Sequence, residues 1–273
     1  MNIIKKTFLV ASLGFATLAG SYATAGASHG HALEAAIKGE HRSAANKARD
    51  QYRHPLETLT FFGFNDQMTV VELTPGGGWY TEILAAALKG HGKLYGAHYP
   101  DTGEDNYYSN SRKKLEKMLA SNDVFKEVVL TDFTIGKASE LAPAGTADLV
   151  LTFRNLHNWK EKGVEQVFID AFKALKPGGV LGVVEHRLPK GVKAEDARGY
   201  VSQELTIKQA IAAGFTLAAS SEINANAKDE TTHPKGVWTL PPRLALGETD
   251  KAKYLAIGES DRMTLKFVKP ASK

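Results

Sequence analysis

A glycine-rich turn between an apolar strand and a helix is the feature that most constrains this chain. Residues 70–73 form an apolar run that carries one acid, Glu72, and three consecutive glycines, Gly76, Gly77 and Gly78, follow before a helical pattern begins. This order is typical of the first strand and helix of an open α/β sheet, whose ligand site lies at the carboxyl ends of its strands. Glycines let the backbone approach a ligand, and the N–H groups that begin a helix favour an anionic group.

The spacing of this turn argues against two common ligands. A dinucleotide fingerprint needs Gly-x-Gly-x-x-Gly or Ala, and counting from Gly76 places Thr81 at the third position. A β-branched residue there would hinder the close packing of helix on strand, so NAD and FAD are not expected. A phosphate-binding P-loop needs Lys and then Ser or Thr after its last glycine, where this chain has Trp79 and Tyr80.

Strands and helices alternate along most of the chain. We predict strands at 68–73, 93–98, 125–130, 147–153, 180–185, 215–223 and 262–268. We predict helices at 79–89, 109–120, 164–175 and 202–213, after a polar helical segment at about 30–64. This alternation indicates βαβ units and a largely parallel sheet.

The segment at about 224–260 breaks the alternation. Its prolines argue against regular structure, so we interpret it as an insertion between the last two strands that covers the ligand crevice. Its Trp238 is a candidate substrate contact.

The first 25 residues are typical of an export signal. Lys5 and Lys6 form a basic start, an apolar stretch follows at 8–19, and small residues at 23–27 offer cleavage sites. The stretch is too short to span a bilayer comfortably, although an uncleaved anchor is the alternative. We therefore expect residues 26–273 to be a single periplasmic or secreted domain, without stable membrane association once the signal is removed.

Charge and composition limit the classes of partner and reaction that we expect for this chain. The formal charge of +4 falls to +2 when Lys5 and Lys6 leave, and acidic and basic residues are interleaved, so nucleic acid is not an expected partner. The chain has no cysteine, which excludes disulfides. It has no Gly-x-Ser-x-Gly elbow, which counts against an α/β serine hydrolase, and no short metal-ligand spacing, so we predict no metal. The pattern does not indicate an oligomeric state.

The whole order resembles the class I S-adenosylmethionine (SAM) methyltransferases. Their motif I is acid-x-Gly-x-Gly-x-Gly: Glu72 fills the acid, Gly76 and Gly78 fill the later glycines, and Thr74 replaces the first. The Leu-Lys-Pro-Gly-Gly turn at 175–179 recurs widely in that superfamily. The resemblance covers about 61–270. It implies a Rossmann-like α/β fold, with a mostly parallel seven-stranded sheet, a terminal antiparallel strand and helices on both faces.

A narrower resemblance is to a group of exported bacterial proteins described as predicted methyltransferases. It is carried by the segments 71–84, 153–159, 185–187 and 236–242.

The resemblance implies SAM as the cofactor and assigns it contacts. The turn from Thr74 to Gly78 would lie against its methionine part, and Glu72 would orient its amino group. Asp132 would accept a hydrogen bond from the adenine amine, with Phe133 beside the ring. His98 stands where an acid usually accepts from both ribose hydroxyls.

A neutral imidazole such as that of His98 can accept from only one hydroxyl. Asp101 or Glu104 would substitute if their loop folded back.

Three histidines are predicted at one crevice, because His98, His157 and His186 follow the ends of strands two, four and five. His157 is our first candidate for a catalytic base and His186 the second, with Glu185 as the alternative. His157 capping a loop or packing under a tryptophan is the non-catalytic interpretation.

The remaining candidates are predicted to contact substrate. Arg154 and Arg187 would hold a carboxylate or phosphate, unless they pair with nearby acids, and Asn155 and Trp159 flank the same loop.

Three functions remain open at this point. The first is a SAM-dependent methyltransferase acting on an unidentified small molecule. The second is an exported protein of the same fold that binds a ligand without methyl transfer. The third is another enzyme, a hydrolase or lyase, that uses the histidine crevice.

Overall fold

The computed structural model describes residues 31–159 and 163–271. The predicted export signal at 1–25 lies outside these ranges. The strands are β1 (Thr69–Leu73), β2 (Lys93–His98), β3 (Val129–Asp132), β4 (Ala147–Phe153), β5 (Leu175–His186), β6 (Thr216–Ser221) and β7 (Arg262–Val268). The helices are α1 (Ala44–Lys47), α2 (Asp50–Arg53), α3 (Pro55–Phe62), α4 (Trp79–Leu88), α5 (Tyr107–Leu119), α6 (Leu156–Trp159), α7 (Val164–Ala174), α8 (Gln203–Ala212) and α9 (Lys251–Ile257).

The strands form one sheet in the order β3-β2-β1-β4-β5-β7-β6. Strands β1 to β5 pair in parallel, whereas β7 is antiparallel to both of its neighbours, β5 and β6. The predicted fold class, a mostly parallel seven-stranded sheet with a final antiparallel strand, is confirmed. The strand order reverses between β1 and β4, which is where an open α/β sheet forms its ligand crevice.

Both faces of the sheet are covered. On β1, Val70 packs into one hydrophobic cluster and its neighbour Val71 into the other. The same division recurs at Leu149 and Val150 of β4. Alternating side chains therefore enter two cores, which explains why these strands are apolar without interruption.

Most predicted elements lie where the sequence placed them, and β2, β4 and β7 have the predicted bounds. Strand three was predicted too early. Residues Asp123–Phe125 form a 3-10 helix instead, because the side chain of Asn122 accepts from the Val124 N–H, and β3 ends at Asp132. Strand β5 begins at Leu175 and so includes the predicted turn at 176–179.

The N-terminal segment is helical but broken. Residues 31–38 are helical, and α1, α2 and α3 follow as short helices. His54 takes a left-handed φ of 42° between α2 and α3, immediately before Pro55. The indole N–H of Trp79 donates to the Asn46 carbonyl at 3.0 Å, which fixes the segment beside the helix after the glycine turn.

Residues 222–261 connect β6 to β7. This connection contains a 3-10 helix, Gly236–Thr239, and helix α9. It therefore has more regular structure than we predicted from its prolines. Buried Asp229 organises it by accepting from the Tyr200 hydroxyl, the ring of His233 and the Asp261 N–H. None of the helices within residues 31–159 and 163–271 is long and apolar enough to cross a bilayer.

Candidate active site

A cleft of about 970 Å³ opens at the carboxyl ends of β1, β4 and β5. Its walls come from the turn after β1, the segment after β4, the N-terminal helices and the β6–β7 connection. The last of these contributes Trp238 and the paired Pro241 and Pro242. The crevice predicted at the carboxyl ends of the strands is therefore present, and the insertion lines it.

The glycine turn forms one wall. Gly76 and Gly78 have left-handed φ values of 61° and 84°. Gly77 lines the cleft, and a Cβ added to it would meet only the Lys114 side chain, at ordinary contact distance.

Thr74 takes a φ of 43°, the left-handed conformation that glycine adopts without strain. Its N–H donates to the Ala97 carbonyl at 2.7 Å, whereas its buried hydroxyl has no hydrogen-bond partner among the described residues. The threonine thus preserves the backbone shape of the motif at a conformational cost.

Glu72 is buried behind this turn. Its carboxylate accepts from the Thr81 hydroxyl at 2.6 Å, and burial raises its pKa to about 7. A cation placed next to this carboxylate would relieve the cost of ionising it.

The residues predicted at the adenosine end do not line the cleft. His98 is fully buried: its Nε2 contacts the Ser111 hydroxyl at 3.2 Å, and its Nδ1 has no partner among the described residues. Burial lowers its pKa to about 4. The predicted position of His98 in the crevice is corrected, because the ring packs inward beside Tyr99.

Asp132 and Phe133 behave differently from each other. The Asp132 side chain is 68% exposed and accepts from the Arg112 guanidinium at 3.0 Å. Phe133 is buried in the core against Tyr99 and Trp159, so it offers no exposed ring face to a ligand.

A histidine–carboxylate pair lies at the other end of the cleft. His157 Nδ1 is 3.0 Å from Glu185 Oε1, and because a carboxylate only accepts, this nitrogen carries the proton. In the neutral ring with its proton on Nδ1, Nε2 is a lone-pair acceptor. Glu185 is fully buried and also accepts from the backbone N–H groups of His157 and His186. Glu185 therefore positions His157, which corrects its prediction as an alternative base.

His186 lines the cleft beside this pair. Its Nδ1 contacts the Ser260 hydroxyl at 2.5 Å, and its ring lies 5.1 Å from that of His157. Burial first, and then the neighbouring His157 and arginines, lower its pKa well below the ordinary value. His186 is therefore neutral near pH 7.

His157, Glu185 and His186 are also close enough to suggest a metal, since one ligand atom from each lies within 4.8 Å of the others. The surroundings disfavour a cation there. Glu185 already accepts three hydrogen bonds, and Arg154 and Arg262 add positive charge nearby. We therefore interpret the group as a histidine–carboxylate pair.

The predicted substrate contacts divide into two sets. Arg154, Asn155 and Trp238 line the cleft, and Asn155 donates to the Leu73 carbonyl at 3.1 Å, joining the ends of β1 and β4.

Trp159 and Arg187 do not line the cleft, which corrects both predictions. The Trp159 ring is fully buried and donates to the Tyr99 hydroxyl at 3.2 Å, because the single turn of α6 rotates it into the core. Arg187 is bound to Asp261 and Glu222.

A cluster of arginines around Glu259 was not predicted from the sequence. Arg49 and Arg53 come from one face of the N-terminal segment, and Arg262 begins β7. The four-residue spacing of the first two was a usable signal. The antiparallel direction of β7 was another, because it brings the start of that strand to the carboxyl edge of the others.

Solved structures with the same architecture support the assignment of the fold. A SAM-dependent methyltransferase from Aquifex aeolicus matches with a TM-score of 0.55 at 16% identity, over 81% of this chain and 93% of that one. The SAM-dependent methyltransferase SibL matches with 0.52 at 16%, over 82% of this chain and 56% of that one. The 4+2 cyclase SpnF matches with 0.55 at 14%, over 86% of each chain. No family model and no curated protein sequence matches the chain.

The chain has the class I methyltransferase fold. Its strand order, its antiparallel β7 and these superpositions agree. Because a cyclase shares this fold with methyltransferases, the methyltransferase fold does not by itself decide the reaction.

The cleft fits SAM at one end. The glycine turn leaves room for the methionine part, and Glu72 lies buried behind that turn, outside the residues that line the cleft. At the other end, His98 is closed into the core and Asp132 is paired with Arg112.

Proposed function

We propose that the protein is a SAM-dependent methyltransferase that acts on a small molecule. The observation that carries this proposal is the glycine turn with buried Glu72 behind it, opening into a cleft that also contains His157. Gly76 and Gly77 would accommodate the methionine part, and Glu72 would receive its ammonium group. When bound, SAM supplies an electrophilic methyl group on a sulfonium centre.

The chain's own residues would supply alignment and proton removal. Methyl transfer requires mainly that nucleophile, methyl and sulfur be aligned, which the closed walls of a cleft favour. Nε2 of His157 is available to take a proton from the nucleophile, because Glu185 holds Nδ1. Trp238, whose ring lies 6.0 Å from that of His157, would help exclude water.

The proposal also includes the compartment in which the protein acts. The basic and apolar pattern of residues 1–25 supports export to the periplasm, as does the resemblance to exported bacterial proteins described as predicted methyltransferases. Export raises the question of whether SAM reaches the protein, so direct binding is the first test.

Calorimetric titration with SAM and S-adenosylhomocysteine, using wild type, Gly77→Ala and Gly77→Leu, tests the proposal. We expect micromolar binding to wild type, a small loss for alanine and loss of detectable binding for leucine. The leucine side chain would occupy space beside the glycine turn, while the protein itself leaves room for the first added atom. Equal binding by the leucine variant, or no binding by folded wild type at millimolar ligand, would refute it.

A further inference from the structure

One wall of the cleft carries an excess of positive charge around a single carboxylate. Glu259 Oε1 accepts from Arg49 Nε at 2.6 Å, and Oε2 accepts from Arg53 Nε at 3.2 Å. Arg262 donates to Oε2 at 2.6 Å, and Arg154 lies at 4.0 Å. Four guanidinium groups thus share one negative charge.

These arginines differ in how many of their N–H groups have a hydrogen-bond partner. Arg262 is satisfied, because its three nitrogens reach the Tyr52 carbonyl, Glu259 and the Ser260 hydroxyl. Arg53 is only 2% exposed, yet neither its Nη1 nor its Nη2 has a hydrogen-bond partner among the described residues. Nη2 of Arg49 is buried and unpartnered in the same way. Both side chains line the cleft.

Such unpaired donors are unusual for a buried arginine, which is ordinarily paired. Elsewhere in this structure, Arg42 makes a two-point contact with Asp50, with both bonds at 2.8 Å. The cleft as a whole has an excess of positive charge, since eight arginines and lysines line it with one acidic side chain, Glu259. Free planar donors in a basic cleft match the geometry of a carboxylate or phosphate.

The cluster lies next to the proposed reacting groups. Ser260, the residue after Glu259, contacts His186, whose ring faces His157. A molecule held by its acidic group at the arginines would therefore extend toward His157.

We infer that Arg49, Arg53 and Arg154 form an oxyanion site that holds a carboxylate or phosphate group of the methyl acceptor. The identification of the occupant as the acceptor rests on the proposed function, whereas the oxyanion site rests on the geometry alone. The carboxylate of SAM has the same chemistry, so the test must separate the two sources.

Inorganic phosphate is the first probe. Its affinity for the full chain is obtained from the midpoint of thermal unfolding, measured at increasing phosphate concentration. Chloride at the same ionic strength is the reference. We expect wild type to be stabilised and the phosphate affinity to fall about tenfold in Arg49→Gln, the effect of losing one charge-assisted hydrogen bond. Lys176→Gln is the matched control, since it removes one charge at the far end of β5. Equal phosphate affinity in wild type and Arg49→Gln would overturn the site.

Arg53→Gln should act in the same direction. If it fails to fold because its partner Glu259 is buried, the partly exposed Arg49 still decides the test.

The second probe is a pair of nucleosides: S-adenosylhomocysteine, and 5′-methylthioadenosine, which lacks the amino-acid group. We expect each nucleoside to bind Arg49→Gln as tightly as it binds wild type. A tenfold loss confined to S-adenosylhomocysteine would instead assign the arginines to the cofactor and overturn the acceptor assignment. Arginine-dependent phosphate binding without any nucleoside binding would support the oxyanion site and count against the proposed function.

Discussion

The carboxyl edge of the sheet differs in structure between its β2–β3 end and its β4–β7 end. At β2 and β3, His98 and Phe133 are buried in the core and Asp132 is tied to Arg112. At β4 and β5, side chains at or just after the strand ends line an open, positively charged cleft, and so do side chains at the start of the antiparallel β7. The first end is closed by packing, and the second retains unpaired donors. The contrast indicates that specificity lies at the β4–β7 end, and that the adenosine end would have to open for SAM.

The largest effect is expected at the charged end. Replacing Glu259 with Gln should destabilise the fold by about 3 kcal/mol, because it leaves buried arginines without a counter-charge. Denaturant unfolding measures this, with exposed Glu248→Gln as a control that should barely move the midpoint. Added phosphate should restore part of the loss, and no loss at all would contradict the network.

The same residue predicts acid sensitivity. Burial alone would raise the pKa of Glu259, but the four arginines lower it to about 2. Its stabilisation is therefore complete above pH 4.5 and is lost as the pH falls from 4.5 through 2. The Gln variant should lack this loss, so equal acid profiles would contradict the account.

The closed end is tested by His98→Asp. If His98 met the ribose, an acid there would tighten SAM binding. Because the ring is buried, we expect instead a destabilisation of about 2 kcal/mol, from a carboxyl group without water. Exposed His91→Asp is the matched control. A stable variant with tighter binding would show that this end is open in solution.

Glu72→Gln should stabilise the protein while weakening binding. The raised pKa of Glu72, about 7, means that the fold disfavours its charge, so wild type loses stability as the pH rises from 4.5 through 7. The Gln variant avoids this loss and should gain stability at pH 8, by at most about 3 kcal/mol, but nothing at pH 4. Paired thermal scans and S-adenosylhomocysteine titrations measure both effects. An equal gain at both pH values would show that ionisation is not the cause.

The smallest effect is expected at Arg112. Asp132 is largely exposed, so Arg112→Gln should change stability by only a few tenths of a kcal/mol. Freeing Asp132 should strengthen S-adenosylhomocysteine binding about two- to fivefold, the equivalent of an exposed ion pair. Lys126→Gln, which breaks the exposed pair with Asp123, should leave binding unchanged. Unchanged binding in Arg112→Gln would remove Asp132 from the cofactor site.

The sequence predicted the sheet well because burial on both faces leaves a continuous apolar pattern, as in β4. It also predicted that residues at the ends of β4 and β5 line the crevice. It did not predict side-chain direction. Trp159 is two residues from His157 but points into the core, since two residues of an α-helix differ in direction by about 200° around its axis.

The arginine cluster was harder to predict for another reason. Arg49 and Glu259 are 210 residues apart, and only tertiary packing joins them. Thr74 shows the opposite case, since its left-handed φ of 43° preserves the backbone of a motif whose first glycine the sequence lacks.

The most direct test of the account is a crystal structure of the protein with S-adenosylhomocysteine. The account predicts the amino-acid part against Gly76 and Gly77, its ammonium group at Glu72, and its sulfur facing the cleft that contains His157. A ligand bound elsewhere, or no bound ligand in crystals soaked at saturating concentration, would contradict it.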